Sequence, residues 1–91
     1  KYDDLIFTIN FNNLLTDIIN LLNSIEIWEI INLEKIIKNF LASKNINFSV
    51  LGGPLRMLLI NTQKGPSISD ILFILQKKDS VKRVEQYIRA N

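Results

Sequence analysis

The sequence has no cysteine and no histidine, and its 91 residues include only three glycines, two prolines and one tryptophan. Without cysteine and histidine there is no disulfide, no thiolate or imidazole metal site, and no nucleophilic dyad built on either residue. No pair of carboxylates stands out as a general acid and base. The sequence therefore predicts a domain with no catalytic residue and no metal ligand of its own.

Long hydrophobic runs are also absent, because Asn, Lys, Asp or Glu interrupts the apolar residues every few positions. A membrane span needs roughly 18 consecutive apolar residues, so we expect no membrane contact. Hydrophobic residues still make up 47% of the chain, which is enough apolar surface to offset the entropy of ordering one small core. We therefore expect a single soluble domain over residues 1–91. Its first residue is Lys1 rather than Met, which favours a piece of a longer chain.

Charge is distributed unevenly between the two halves of the chain. Residues 1–48 carry four lysines against six acidic residues, a net charge of −2. Residues 49–91 carry seven lysines or arginines against three acidic residues, a net charge of +4. We therefore expect a polyanion to bind the second half.

Apolar residues recur at steps of three and four along most of the chain, which is the spacing of one face of an α-helix. This pattern predicts an all-α fold of five helices joined by short loops. The predicted helices begin near Asn13, Asn32, Pro54, Ser67 and Asp79 or Ser80, and the middle three end near Lys44, Asn61 and Gln76. Residues 46–50 are interpreted as a loop, because a lone short strand cannot pair its backbone groups. Residues 1–12 are interpreted as a strap or linker from a preceding domain.

Three of these helix starts carry residues suited to an N-terminus. The side-chain oxygen of Asn32 can accept a hydrogen bond from a free backbone N–H group. Pro54 lacks the N–H that a first helical position leaves unpaired. Ser67, three residues before Asp70, resembles a capping box. These residues set the expected beginnings of the second, third and fourth helices.

Arg56 follows the predicted start of the third helix closely. At about 100° per residue it falls at the edge of the apolar stripe, so its side chain has little freedom. Two interpretations remain open. Either the stem of Arg56 lies on the core and the guanidinium donates to loop carbonyls, or the planar guanidinium faces a base edge or a phosphate.

Other candidate binding residues also have two interpretations. Gly65-Pro66-Ser67 is either a loop-to-helix connector or a rim where N–H groups and Lys64 meet a phosphate or a base edge. Lys82 and Arg83 belong to a group of cations that is either solvated surface or a set of phosphate contacts. Trp28 is interpreted as a core residue, with base stacking as the alternative.

The second half of the chain resembles a known family. The segments that carry the resemblance are Pro54-Leu55-Arg56-Met57-Leu58-Leu59, Gly65-Pro66-Ser67-Ile68, Asp70-Ile71-Leu72, Leu75-Gln76-Lys77 and Lys82-Arg83-Val84. Their order and spacing are similar to those of the C-terminal anticodon-binding domain of bacterial glutamyl-tRNA synthetases. Upstream, Trp28 and the helix of residues 33–41 are similar more weakly. Ile60-Asn61 and Gln76 depart from the family pattern, which has Thr-Gly and Gly at these positions.

The resemblance implies a small five-helix bundle of the class I synthetase anticodon-binding type, the α-helix cage. The anticodon contacts that it implies are Arg56, Gly65, Pro66 and Ile68, and the phosphate contacts are Lys64, Lys82 and Arg83. The RNA partner would be tRNA(Glu), whose unstacked loop bases are accessible to side chains. The parent would be a cytoplasmic, monomeric glutamate–tRNA ligase with ATP and Mg²⁺ in its preceding catalytic domains, and this domain would hold no cofactor. A helical protein-interaction domain without RNA binding is the alternative.

Overall fold

The computed structural model describes residues 9–90 and arranges them as four α-helices. These helices are α1 (Ile9–Ser24), α2 (Ile30–Ser43), α3 (Phe48–Ile60) and α4 (Ile68–Ala90). No β-strand occurs between residues 9 and 90, which confirms the all-α fold for that range. None of the four helices has the length and apolar character needed to cross a bilayer.

The hydrophobic core forms where α4 packs against each of the other three helices. The buried apolar side chains are Phe11, Leu15, Ile18, Leu22, Ile25, Leu33, Leu41, Leu51, Leu55, Leu59, Ile68, Ile71, Leu72, Val81 and Val84. In α1 they follow the steps of three and four that predicted the helix. The apolar stripe of each helix therefore meets a common centre, as expected for a small helical bundle.

The first helix begins earlier than the sequence predicted. Phe11 lies in its first turns, is only 1% exposed, and meets the Tyr87 ring edge-on with ring centroids 6.2 Å apart. This buried aromatic contact extends the apolar stripe upstream of Asn13. The predicted strap of residues 1–12 is therefore too long, because residues 9–12 belong to α1. Residues 1–8 lie outside the described part of the chain, and their role as a strap stays a prediction.

The second helix begins at Ile30, and Asn32 is not its N-cap. Glu29 occupies the N-cap position and makes no side-chain capping bond. Asn32 lies inside the first turn, where its Nδ2 donates to the carbonyl of Ile27 at 2.8 Å. The helix ends at Ser43 with Lys44 as its C-cap, close to the predicted end.

The third helix corrects two predictions, because it begins at Phe48 rather than at Pro54 and residues 48–50 are not loop. Asn47 caps the helix, with its Oδ1 accepting from the Ser49 N–H at 3.3 Å. Pro54 lies inside the helix and leaves the carbonyl of Val50 without its intrahelical donor. Val50 is 49% exposed, so water can reach this carbonyl. The proline is tolerated because the carbonyl it frees lies at the solvent-exposed start of the helix.

The two last predicted helices form a single element with a break inside it, so residues 9–90 contain four helices and not the five predicted. Residues 68–90 are helical throughout except at Gln76, where φ is 67° and ψ is 168°. The predicted end at Gln76 is therefore a kink rather than a loop. Asp79 and Ser80 lie within the helix and do not cap a new one. The helix resumes at Lys77.

Trp28 and Lys77 make contacts next to the kink. The Trp28 Nε1 donates to the Leu72 carbonyl at 2.9 Å, in the turn before Gln76. Lys77 places its Nζ 5.8 Å from the centre of the Trp28 ring and donates to the Ile25 carbonyl just beyond α1. Trp28 packs against the core, as predicted, and its indole also links the part of α4 before the kink to the segment between α1 and α2.

Gln76→Gly is expected to raise the free energy of unfolding by about 1 kcal/mol, because glycine adopts this backbone conformation without strain. The gain is smaller than the full strain, since the variant loses the hydrogen bond from the Gln76 side chain to the Phe73 carbonyl. Urea unfolding followed by far-ultraviolet circular dichroism measures the change.

Glu85→Gly is the matched control, because Glu85 lies in the regular second part of α4. Glycine there is expected to cost about 1 kcal/mol relative to a good helix former. The two glycine variants should therefore change stability in opposite directions. An equal loss in both would mean that α4 is not broken at Gln76 in solution.

Candidate nucleic-acid interface

The candidate interface begins where α3 ends. Asn61 caps this helix in the left-handed conformation, with φ 60° and ψ 34°. Its backbone N–H donates to the Met57 carbonyl at 2.9 Å. Asparagine adopts this conformation more readily than other residues with a side chain. Asn61, which stands where the family pattern has glycine, therefore still ends the helix in the same way.

The loop that follows, which we call the rim (residues 62–67), is held by short-range hydrogen bonds. The Thr62 hydroxyl donates to the Lys64 carbonyl at 3.0 Å, and the Lys64 N–H donates back to that hydroxyl at 3.3 Å. Gly65 has a φ of 148°, a conformation that residues with a Cβ rarely adopt. The rim therefore needs glycine at this position to turn toward α4.

Ser67 ends the rim and caps α4, as the sequence predicted. Its Oγ accepts from the Asp70 N–H at 3.2 Å, and its carbonyl accepts from the Ile71 N–H at 3.0 Å. The Ser67 hydroxyl also lies 3.1 Å from the Ser69 hydroxyl. The position of the rim is thereby fixed relative to the first turn of α4.

Arg56 connects α3 to the rim. Its Nε donates to the Pro66 carbonyl at 2.9 Å, so Arg56 is a donor to a loop carbonyl, as the first interpretation proposed. The remaining N–H donors of the guanidinium are on its two terminal nitrogens. The same side chain can therefore hold the rim and offer donors to a ligand, and the two interpretations of Arg56 are compatible.

The four residues predicted to contact the anticodon differ in how far they are exposed to solvent. Arg56 and Pro66 are in contact, and Gly65 is exposed beside them. Ile68 is 1% exposed and belongs to the core. The predicted contact of Ile68 with the anticodon therefore finds no support in this structure. Lys64, predicted to contact phosphate, is exposed on the rim.

The other two predicted phosphate contacts, Lys82 and Arg83, lie in the second part of α4. Lys82 is exposed, whereas Arg83 is half-buried and its Nη1 donates to the Leu59 carbonyl in the last turn of α3. A cation at this end of a helix also interacts favourably with the helix dipole. Burial raises the pKa of the Tyr87 hydroxyl, which lines a hollow together with Arg83, so Tyr87 adds no negative charge near neutral pH. Arg83 thus already has a structural role.

Phe48 and Gly52 also belong to this surface, although the sequence did not predict them. Phe48 is 42% exposed, and a Cβ atom placed on Gly52 would lie 3.1 Å from its ring and 3.3 Å from the Arg56 Nη1. The signals available in the sequence were Asn47 as an N-cap two residues before Ser49, and the spacing of four between Phe48, Gly52 and Arg56. Interpreting residues 46–50 as a loop hid both signals.

The described residues thus provide an arginine, exposed lysines and a glycine-containing rim at a helix start. No group of three or more Asp or Glu side chains positioned to hold a metal ion occurs among residues 9–90. These are the features of a small helical domain with a cationic binding edge. The chain belongs to the anticodon binding domain family, whose sequence model matches residues 8–88.

The chain is similar to a short part of several bacterial enzymes. It is 32% identical over 77 residues to the glutamate–tRNA ligase of Flavobacterium johnsoniae, covering 85% of this chain and 15% of that protein. It is 31% identical over 75 residues to the glutamate–tRNA ligase of Flavobacterium psychrophilum, covering 82% and 15%. It is also 37% identical over 54 residues to glutamate–tRNA ligase 2 of a Nitratiruptor species, covering 59% and 12%. The chain therefore spans about 15% of the length of the first two relatives. No solved structure matches it significantly.

Ser67→Ala is expected to lower the free energy of unfolding by about 1 kcal/mol, because the first turn of α4 loses the acceptor for the Asp70 N–H. Amide hydrogen exchange should accelerate most at Asp70, which reports on the cap directly. Exchange is measured by NMR, and stability by urea unfolding.

Ser43→Ala is the matched control for that variant. The Ser43 hydroxyl is exposed and donates to the Phe40 carbonyl at the end of α2, so it caps no N-terminus. Its replacement should change stability by less than about 0.5 kcal/mol, as is usual at the surface. Equal effects of the two variants, or unchanged exchange at Asp70, would contradict the assignment of Ser67 as the cap.

Proposed function

We propose that this chain binds the anticodon loop of a tRNA as the anticodon-binding part of a glutamate–tRNA ligase. The hydrogen bond from Arg56 to Pro66 is the observation that carries the proposal. It places a guanidinium beside an exposed loop at a helix start. Planar groups and helix N-termini of this kind read base edges and phosphates in single-stranded RNA.

In this proposal Arg56 makes the polar contact that recognises a base. Its Nε is engaged by the rim, and this engagement fixes the plane of the guanidinium before RNA arrives. A donor group that is already oriented loses less side-chain entropy on binding than a free one. The terminal nitrogens then donate to a base edge, while Gly65 and Pro66 form the surface against which the anticodon loop packs.

Positive charge supports the same function in a less specific way. The excess of cations lies in residues 49–91, and Lys64 and Lys82 are exposed there. Such lysines contact phosphates, position the RNA and make its affinity depend on salt. Arg83 adds to this positive charge while its Nη1 donates to the Leu59 carbonyl at the end of α3.

In this proposal the reaction takes place in other domains of the ligase. Those domains bind ATP, Mg²⁺ and glutamate, and this chain contributes the position of tRNA(Glu). The ligase acts as a monomer in the cytoplasm, and its preceding domains contact this one. The names of the relatives favour this function over that of a helical protein-interaction domain.

Arg56→Ala is expected to weaken binding of a tRNA(Glu) anticodon stem-loop by about 1–3 kcal/mol, the range for one lost polar base contact. NMR titration of the labelled chain measures the affinity and locates the interface, and the wild-type spectrum should shift at Arg56 and Gly65. In a full-length ligase the same variant should leave ATP-dependent activation of glutamate unchanged, since that step does not use this domain.

Arg89→Ala is the matched control, because Arg89 lies exposed in the last turn of α4 and its loss removes the same charge. It should reduce affinity only through the general electrostatic attraction. The proposal fails if the wild-type chain binds a scrambled anticodon loop as tightly as the tRNA(Glu) loop, or if the two arginine variants have the same effect.

A further inference from the structure

An exposed aromatic side chain stands next to the proposed RNA-binding residues. Phe48 is the first residue of α3, and its side chain is 42% exposed. Phe48, Gly52 and Arg56 are spaced by four, so they follow one another along a single face of α3. The aromatic ring and the guanidinium therefore share the face that leads to the rim.

Gly52 lets these two side chains lie against the helix. A Cβ atom at this position would lie 3.1 Å from the Phe48 ring and 3.3 Å from the Arg56 Nη1. Both distances are tighter than ordinary contacts of a Cβ atom, so any larger residue would push one or both groups outward. The absence of a side chain at Gly52 thus brings a ring and a planar cation side by side on the surface.

The ring also borders an open groove that reaches the start of α4. The groove has a volume of about 570 Å³ and is open to solvent. Its walls include Lys38, Asn47, Phe48, Ser67 and Ile68. Because Ser67 belongs to the rim and Pro66 accepts from Arg56, the surface continues from the Phe48 ring through the guanidinium to the rim.

We propose that Phe48 is a base-stacking residue of this interface. A nucleobase from the anticodon loop stacks on the Phe48 ring while Arg56 donates to a base edge beside it, and Gly52 is the positioning residue that keeps the two groups adjacent. The inference rests on the proposed RNA-binding function and adds to it a stacking surface on α3. An exposed aromatic ring next to an arginine suits this use, because every base has a face that can stack.

The test uses tRNA(Glu) anticodon stem-loops with the fluorescent base 2-aminopurine at each anticodon position in turn. Stacking on an aromatic ring quenches this fluorophore, so the wild-type chain should quench it at one position. Phe48→Ala should abolish that quenching and weaken binding by about 5- to 150-fold, the range for one lost stacking contact. Phe48→Tyr keeps an aromatic ring and should retain both the quenching and most of the affinity.

Phe73→Ala is the matched control for the loss of an exposed phenyl ring. Phe73 is 37% exposed in the first part of α4, and it is not among the residues that line the groove. It should leave both quenching and affinity unchanged. Thermal unfolding of each variant establishes the temperature at which all of them are folded, and binding is compared there.

Gly52→Ala separates a positioning role from a structural one. Alanine favours a helix over glycine, so the variant should unfold at an unchanged or higher temperature if the exposed Phe48 ring moves aside. It should nevertheless lose part of the quenching, because the new methyl group displaces the ring and the guanidinium. A variant that binds and quenches like the wild type would show that the spacing across Gly52 does not matter for RNA.

The possible failures of the two proposals can be told apart. If Phe48→Ala binds and quenches like the wild type while Arg56→Ala loses affinity, Phe48 does not stack and the RNA-binding function stands. If the wild-type chain does not prefer the tRNA(Glu) loop to a scrambled loop, the RNA-binding function and the stacking role both fail.

Discussion

The hydrogen bond from the Trp28 indole to the Leu72 carbonyl is the contact on which the arrangement of the helices depends. It lies where Gln76 breaks α4, the helix that packs against each of the other three. The break lets α4 change direction at Gln76, and the Trp28 bond ties the part of α4 before the break to the segment between α1 and α2.

The position of the candidate interface follows from this break. The first part of α4 carries Ser67 and, through the rim, the carbonyl that accepts from Arg56. The second part carries Arg83, which donates to the last turn of α3. Arg56 therefore links α3 to the first part of α4 through the rim, and Arg83 links α3 to the second part. A change in the angle between the two parts would move Arg56 relative to the rim.

Residue patterns predicted the helical fold, and one of the two interpretations of Arg56 was donation to a loop carbonyl, but these patterns missed features decided by distant contacts. Spacing identified the apolar stripes, and Ser67 was recognised as a cap because capping is local. The start of α3 was missed because Pro54 usually marks a helix start, whereas here it lies inside the helix. Gln76 was predicted to end a helix, but the chain continues as helix on both sides of it. The burial of Ile68 likewise depends on the other helices.

A high cation count does not mean that every cation in a segment is free to contact a ligand. Lys77 and Arg83 lie in the most basic part of the sequence, yet both donate to backbone carbonyls at the ends of other helices. Their charge remains in this part of the surface, while at least one donor of each side chain is engaged within the protein. Lys64 and Lys82 remain exposed and attract any polyanion without distinguishing sequences. In the proposed function, discrimination between RNA sequences has to come from planar groups with a fixed orientation. Arg56 has such an orientation because the Pro66 carbonyl holds it beside Gly52, where no side chain intervenes.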